Sequence, residues 1–474
     1  MYKYNFLYEF KLLLRSGWMQ ILSLLLLGLF CFATINGNQK VLKRKQDIHS
    51  AKVEVKESDA NMLSLLDSVE NGMEVSASRW TIPSSPTAVG NYHPRVAAMD
   101  PQPLSFVSTG QSDLFTHYVK PTMAGDDFTL NFTEIISPVQ QLFGSFDLAF
   151  VIVYLLPLII IAFSYNILSA ERESGSLRLL ASQPISIHTW VLQKISLRFL
   201  LTLILTVIIL TIVFVFLVSG NNFKGLFDVI ITTAAYILFW FSLAFAVNLW
   251  VGDSSKNAIV LLGLWVVFVL LVPSVLNQLG NTLYPMPSRT LMINKMRNLK
   301  EEATEKQDEI LDNFLRDHPE YALNDPNQSR QFYHRYMASQ KLVKEKLEPV
   351  TLEFERQLER QQALVSKFRW LSPAIIAQES LNILSGTSTA DYENYRKQVI
   401  GFAETWRNHL TPLLYNNEPF TSSKYGELPS FNYHPIRLKN NMIASLIIMI
   451  VSIGIGFVAY MIAFKGNVSK LIIS

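Results

Sequence analysis

Glu171, Arg172 and Glu173, followed by Ser174, Gly175, Leu177 and Arg178 and closed by Pro184, form a charged, helix-breaking cluster between two long apolar runs. Residues of these types at this spacing suit recognition more than catalysis. Two carboxylates and a guanidinium offer directional ion pairs, and Gly175 and Pro184 punctuate the backbone around a short apolar-faced helix. A soluble partner could grip such a segment. Reaction chemistry is harder to find. The chain has no G-x-x-x-x-G-K-S/T phosphate cradle, and no H-E-x-x-H, C-x-x-C or G-x-S-x-G. Of the eight histidines, His93, His117, His318, His334, His409 and His434 fall in two long polar segments, and no two have metal-ligand spacing. They read as surface residues, so no catalytic residue, no metal site and no enzyme activity is expected of this chain.

The elements that must hold the cluster are apolar. Half of the 474 residues are hydrophobic and only 17% are charged. Blocks at 18–35, 147–165, 194–218, 226–251, 257–279 and 442–464 approach or exceed the roughly 20 residues that cross a hydrocarbon core. The expected fold is therefore an all-α polytopic membrane protein with six transmembrane helices. No block has a charge near its centre, which argues against a charge-coupled secondary transporter. The net charge of +3 gives no sign of a nucleic-acid partner. The single cysteine, Cys31, lies in the first block, so no intramolecular disulfide can form, and no A-x-A-like site follows, so that block reads as a retained anchor.

Short loops set the orientation. Lys3, Lys11 and Arg15 precede the first block; Arg172 and Arg178 lie in the 166–193 loop, Lys256 before the fifth block, and Lys465 and Lys470 in the 465–474 tail. Both termini and the 166–193 loop are placed in the cytoplasm. Residues 1–17 form an interfacial amphipathic helix, with Phe6, Leu7, Phe10, Leu13 and Leu14 on one face. Two large extracytoplasmic domains result, 36–146 and 280–441. In the first, residues 37–72 extend the first span as a helix stopped by Asn71-Gly72, and 80–127 are loop-rich with scattered aromatics. Residues 128–132 alternate like a strand, and Asn131-Phe-Thr133 matches a glycosylation sequon that a bacterial cell would not use. The second domain is a long helical hairpin, 289–317 and 328–369, with Pro349 a potential bend. Further helices follow at about 373–384, ended by Gly386, and 389–410, capped by Ser388 or Thr389.

The stretch Glu171-Arg-Glu-Ser-Gly-Ser-Leu-Arg-Leu-Leu-Ala-Ser-Gln-Pro184 resembles the E-x-E-x-G-S/T-L-x-x-L-L-x-x-P segment of ABC-2 type permeases. Gly144-Ser-Phe-Asp147-Leu-Ala-Phe, Gly110-Gln-Ser-Asp113-Leu, Trp370-Leu-Ser-Pro373-Ala and Leu381-Asn-Ile-Leu384-Ser-Gly386-Thr387 resemble the members of that family carrying the domain DUF3526. Ser385 stands where the pattern has Ala, and residues 37–100 match no family pattern. The resemblance implies that Glu171, Arg172, Glu173, Gly175, Leu177, Arg178 and Pro184 form a coupling helix docking onto a separate ATPase subunit, which binds ATP and Mg. It also implies a second permease subunit, as a homodimer or paired heterodimer, in the bacterial inner membrane, where lipid surrounds the spans. Tyr154, Ser164, Asn166, Tyr236, Asn248 and Trp265 are candidates to line a pathway, and Pro157 and Pro273 are candidate flexing points or static kinks. The leading expectation is a permease subunit that exports a substrate. The alternative is a mechanotransmitting subunit that passes motion to a periplasmic partner. A receptor or scaffold without an ATPase leaves 165–190 unexplained.

Overall fold

Long apolar runs free of internal charge satisfy their backbone as helices, the one way a single segment can do so in lipid. In the computed structural model, six helices among the described residues are long and apolar enough to cross a membrane: Gly17–Glu70, Leu148–Glu173, His188–Val215, Leu226–Trp250, Ser254–Leu283 and Met442–Phe464, here the first to sixth spans. The structure describes residues 9–13, 15–75, 78, 81–110, 112, 116–125, 145–177, 187–216, 225–321, 332–436 and 441–465. The proposed strand at 128–132, the sequon and the 466–474 tail lie outside them. The second and fourth spans form the centre of the bundle, and the other four leave most of their apolar surface exposed. The side of the bundle bearing residues 169–177 is called proximal below, and the opposite side distal.

Two spans begin earlier than hydropathy alone indicates. The third starts at Ile187 rather than 194, because Trp190 and Val191 are buried and let the helix run below the purely apolar stretch. The fifth starts at Ser254. The first span continues without a break to Glu70 and stops at Asn71-Gly72, where Gly72 takes φ +73°.

On the distal side are α1 (Pro86–Tyr92) and a two-residue antiparallel strand pair, β1 (Ala97–Ala98) with β2 (Tyr118–Val119), the only strands among the described residues. They are followed by α2 (Arg289–Glu305), α3 (Gln307–Asp317), α4 (Phe332–Phe368), α5 (Pro373–Ser385) and α6 (Thr389–Tyr415). The expected single helix over 289–317 is broken at Lys306, whose ψ of 20° leaves the helical range. α4 returns antiparallel to α2 and α3: Arg335 pairs with Asp308 at 2.9 Å, Lys346 with Glu302 at 3.6 Å, and Gln361 Nε2 donates to Tyr284 O at 2.7 Å. Its 37 residues reach about 55 Å at 1.5 Å each. Pro349 does not end it, since Val343 and Leu347 pack against Met296, Leu299 and Ala303.

The two distal segments, 36–146 and 280–441, pack against one another. Met62 and Leu66 of the first helix, Val89 of α1 and Met123 share a core with Trp406, Leu410 and Leu414 of α6. Ala97 and Met99 pack on Tyr395, Val399 and Phe402. Arg95 grips both Asp59 oxygens at 2.7 and 2.6 Å, and Tyr425 Oη donates to the same carboxylate at 2.9 Å. Neither segment alone supplies enough apolar surface for these clusters, so each completes the other. α5 sits lower. Its Ala374, Ile376, Ala377 and Leu381 belong to the core of the membrane helices themselves.

Candidate functional site

At the proximal end the second span leads through a turn at 165–168 into one helical turn, Ser169–Glu173, ended by Gly175 at φ +76°. A Cβ at Gly175 would meet nothing within 4 Å, so backbone conformation rather than space calls for glycine there. Glu171 Oε1 accepts from Lys194 Nζ of the third span at 2.8 Å, and its other oxygen accepts from Ser176. Lys194 also pairs at 3.3 Å with Glu9, which in turn lies 3.6 Å from Arg198. Glu173 Oε1 accepts from the Ser254 N–H that opens the fifth span, at 2.9 Å. Ser254 Oγ donates to Ser169 Oγ at 2.8 Å. Arg172 packs over Gly252, and Leu177 is buried in the membrane core. The segment is thus tied to the second, third and fifth spans and to the N-terminal helix. Arg178 and Pro184 lie outside the described residues, as does the helix expected between Gly175 and Pro184.

Within the bundle, three of the polar residues proposed for a pathway, Tyr236, Asn248 and Trp265, make hydrogen bonds between helices. Pro157 has no N–H to donate, and a π-helical turn, Val151–Leu155, precedes it. The nearby carbonyls are satisfied from neighbouring spans: Val153 O accepts from Tyr236 Oη at 2.9 Å, and Tyr154 O from Trp265 Nε1 at 3.2 Å. Asn248 closes the other end of the second span, donating to Ser164 O at 2.8 Å and accepting from Leu168 N–H at 3.3 Å. Ser164 bonds back to Ile160 O, and Asn166 lies in the turn at 165–168. Tyr236, Asn248 and Ser164 are fully buried within the chain. Pro273 repeats the pattern. A second π-helical turn, Val266–Leu271, leaves Phe268 O facing a proline in place of a donor, and Ser372 Oγ fills the gap.

The distal end of the second span carries a second constellation. Asp147 caps its first turn, accepting from Phe150 N–H at 2.8 Å. The other carboxylate oxygen accepts from Thr109 N–H at 2.8 Å and Thr109 Oγ1 at 3.0 Å. Burial raises the Asp147 carboxyl above its usual range, and these hydrogen bonds oppose that shift. Residues 105–109 are clamped in turn by the end of α5. Ser105 Oγ donates to Ser385 O at 2.9 Å, Ser108 N–H to Ser385 Oγ at 3.1 Å, Ser108 Oγ to Asn382 Oδ1 at 2.6 Å, and Thr387 Oγ1 to Ser108 O at 2.9 Å. Gly386, at φ +65°, ends α5, and Ser388 with Asp391 forms a capping box on α6. Two of the stretches quoted from the sequence therefore converge here, that of Asp147 and that of Leu381–Thr387, and Gly110, which opens a third, lies against Thr387.

Sequence reasoning named Asp147 only as part of a pattern and gave no site role to Lys194 or Arg198. Glu9, Thr109 and Ser108 gave no signal, and Asn382 stood only inside a pattern, because their partners lie tens to hundreds of positions away. Among the described residues no group of His, Cys, Asp and Glu is placed to hold a metal. Residues 289–434 match a family described as Domain of unknown function (DUF3526). That stretch covers α2 to α6 and contains none of the six candidate spans. No curated protein matches the chain.

Proposed function

We propose that this chain is the membrane subunit of an ABC-2 type transporter, driven by a separate ATPase subunit that binds ATP and Mg. The proximal face then lies in the bacterial cytoplasm together with both termini, and a second permease subunit completes the assembly. One observation carries the reading. The second span bears Asp147 at one end and, through the turn at 165–168, the Glu171–Glu173 segment at the other, with its interior braced by Tyr236, Trp265 and Asn248. Displacement of 169–177 by a closing ATPase is shared with the third span through Lys194 and with the fifth through Ser254. It reaches the distal body through Asp147 and Thr109. The residues of this chain bind the engine and pass on its motion.

Export of a substrate is the leading output. Delivery of motion to a periplasmic partner is the second, and the clamp from Asp147 to α5 favours it, because an exporter has no need to fix a large distal body to its driven helix. ATP-dependent efflux from proteoliposomes holding both subunits decides between them. Co-purification of the ATPase with Glu171→Lys and Gly175→Trp variants tests the docking segment. Both variants are expected to lose the ATPase while keeping the fold, and retention by both would remove the coupling role.

A further inference from the structure

The corner between α4 and α5, Lys367-Phe368-Arg369-Trp370-Leu371, lies in the segment that the sequence assigns to the aqueous distal side. Its depth says otherwise. Trp265 Nε1 bonds Tyr154 O, so Trp265 is level with a residue seven positions, or about 10 Å, inside Asp147. Phe268, three residues farther toward the distal surface, is then only about 5–6 Å inside the level of Asp147. Ser372 Oγ donates to Phe268 O and pins the corner at that depth. With the charged cap Asp147 set at the outer edge of a headgroup region that adds about 5–7 Å on each side of the hydrocarbon core, the corner falls at the boundary between the two.

The side chains there match that boundary. Phe368, Trp370 and Leu371 are 42%, 44% and 55% exposed, although water would be a poor solvent for three such side chains within four positions. The fifth span around Phe268, to which Ser372 is bonded, also exposes apolar residues, Val266, Val267, Leu270 and Leu271. Cations flank the corner side chains. Lys367 Nζ lies 5.9 Å from the centre of the Phe368 ring, and Arg369 stacks over Trp370 at 4.8 Å while pairing with Glu379 at 2.9 Å. Aromatic rings beside Lys and Arg at the edge of an apolar surface are the residues that settle at a lipid interface.

We infer that Phe368, Trp370 and Leu371 insert into the distal leaflet as a wedge, with Lys367 facing phospholipid headgroups. The wedge sits at the junction of the long hairpin and α5, so lipid anchors the distal body independently of what drives the spans. The full-length chain carrying Cys31→Ser and Leu371→Cys, labelled with bimane and reconstituted in phosphatidylcholine–phosphatidylglycerol vesicles, tests this. Lipids carrying a nitroxide near the headgroup should quench the label strongly, those with a nitroxide near the acyl terminus weakly, and aqueous iodide hardly at all. Phe368→Cys should behave alike, and Glu345→Cys, exposed on α4, should respond only to iodide. Quenching of the two corner labels by iodide alone would place the corner in water. Protection from all three quenchers would mean that protein covers it. Either result overturns the inference.

Discussion

Asp147 shows how much one carboxylate can organise. It accepts from Phe150 at the start of the second span and twice from Thr109 of the distal body, so cap and clamp share one side chain. In Asp147→Asn the amide has one acceptor oxygen, so a buried donor on one side is left without a partner, at a cost of about 1–3 kcal/mol. Under the proposed function, the expected outcome is a lower unfolding temperature with ATPase binding intact and ATP-driven output lost. If assembly fails as well, Asp147 serves the fold of the whole bundle and not transmission. His334 makes a different prediction. It is fully buried, with Nε2 3.0 Å from Leu414 O, and burial holds its pKa below the ordinary 6.5. His93, bonded to Ser58, is lowered in the same way. The folded state therefore keeps both imidazoles neutral while the unfolded chain protonates them. Their stabilisation is present above about pH 6.5 and falls away as the pH drops toward the depressed folded values. Thermal unfolding of the full chain should weaken from about pH 7 to pH 5. His334→Gln, which can still donate to Leu414 O, should flatten that slope, and an unchanged slope would put the acid sensitivity elsewhere.

At the scale of elements, much was legible because the signals are local. Apolar length gave six helices, Gly386 and Ser388 marked the end of α5 and the start of α6, and Asn71-Gly72 stopped the first helix. Pro157 and Pro273 pointed to irregular backbone, and each follows a π-helical turn. Which groups would satisfy that backbone was not legible. Tyr236 and Trp265 look like pathway residues in a linear reading, because a polar tip on an apolar helix has the same sequence signature whether it meets a lumen or a neighbour's carbonyl. The break at Lys306 falls among good helix formers and leaves no local mark. The bracing of Pro157 by Tyr236 can be measured. Tyr236→Phe strips a donor from Val153 O and should cost about 1 kcal/mol. In a Pro157→Ala background the restored N–H competes for that carbonyl, so the same substitution should cost less. Equal costs in both backgrounds, read from unfolding of the four proteins of the cycle, would mean that the tyrosine hydroxyl contributes through packing alone.

For the whole molecule, the distal body is built by pairing residues 59–125 with residues 333–428, and no local pattern announces which distant segments will meet. The patterns of Asp147 and of Leu381–Thr387, quoted separately from the sequence, find a common meaning only where both close on Ser105–Thr109. Joint burial of Met62, Leu66, Val89 and Met123 with α6 makes separation of the two segments costly, since each would expose its share of one core. The body should therefore move as a unit when the second span moves. Ser108 Oγ and Asn382 Oδ1 are 2.6 Å apart, so cysteines at these positions in a Cys31→Ser chain lie within reach of dibromobimane, a short cross-linker that fluoresces when both ends react. Closing so long a loop should stabilise the body by about 2–4 kcal/mol, by the same restriction of the unfolded chain that a disulfide imposes. If the body is a rigid follower, the cross-linked protein unfolds at higher temperature while ATP-driven output, whether efflux or delivered motion, stays at the level of the unlinked double variant. Loss of output on cross-linking, with the ATPase still bound, would show that the two segments part during the cycle and that the clamp is a gate.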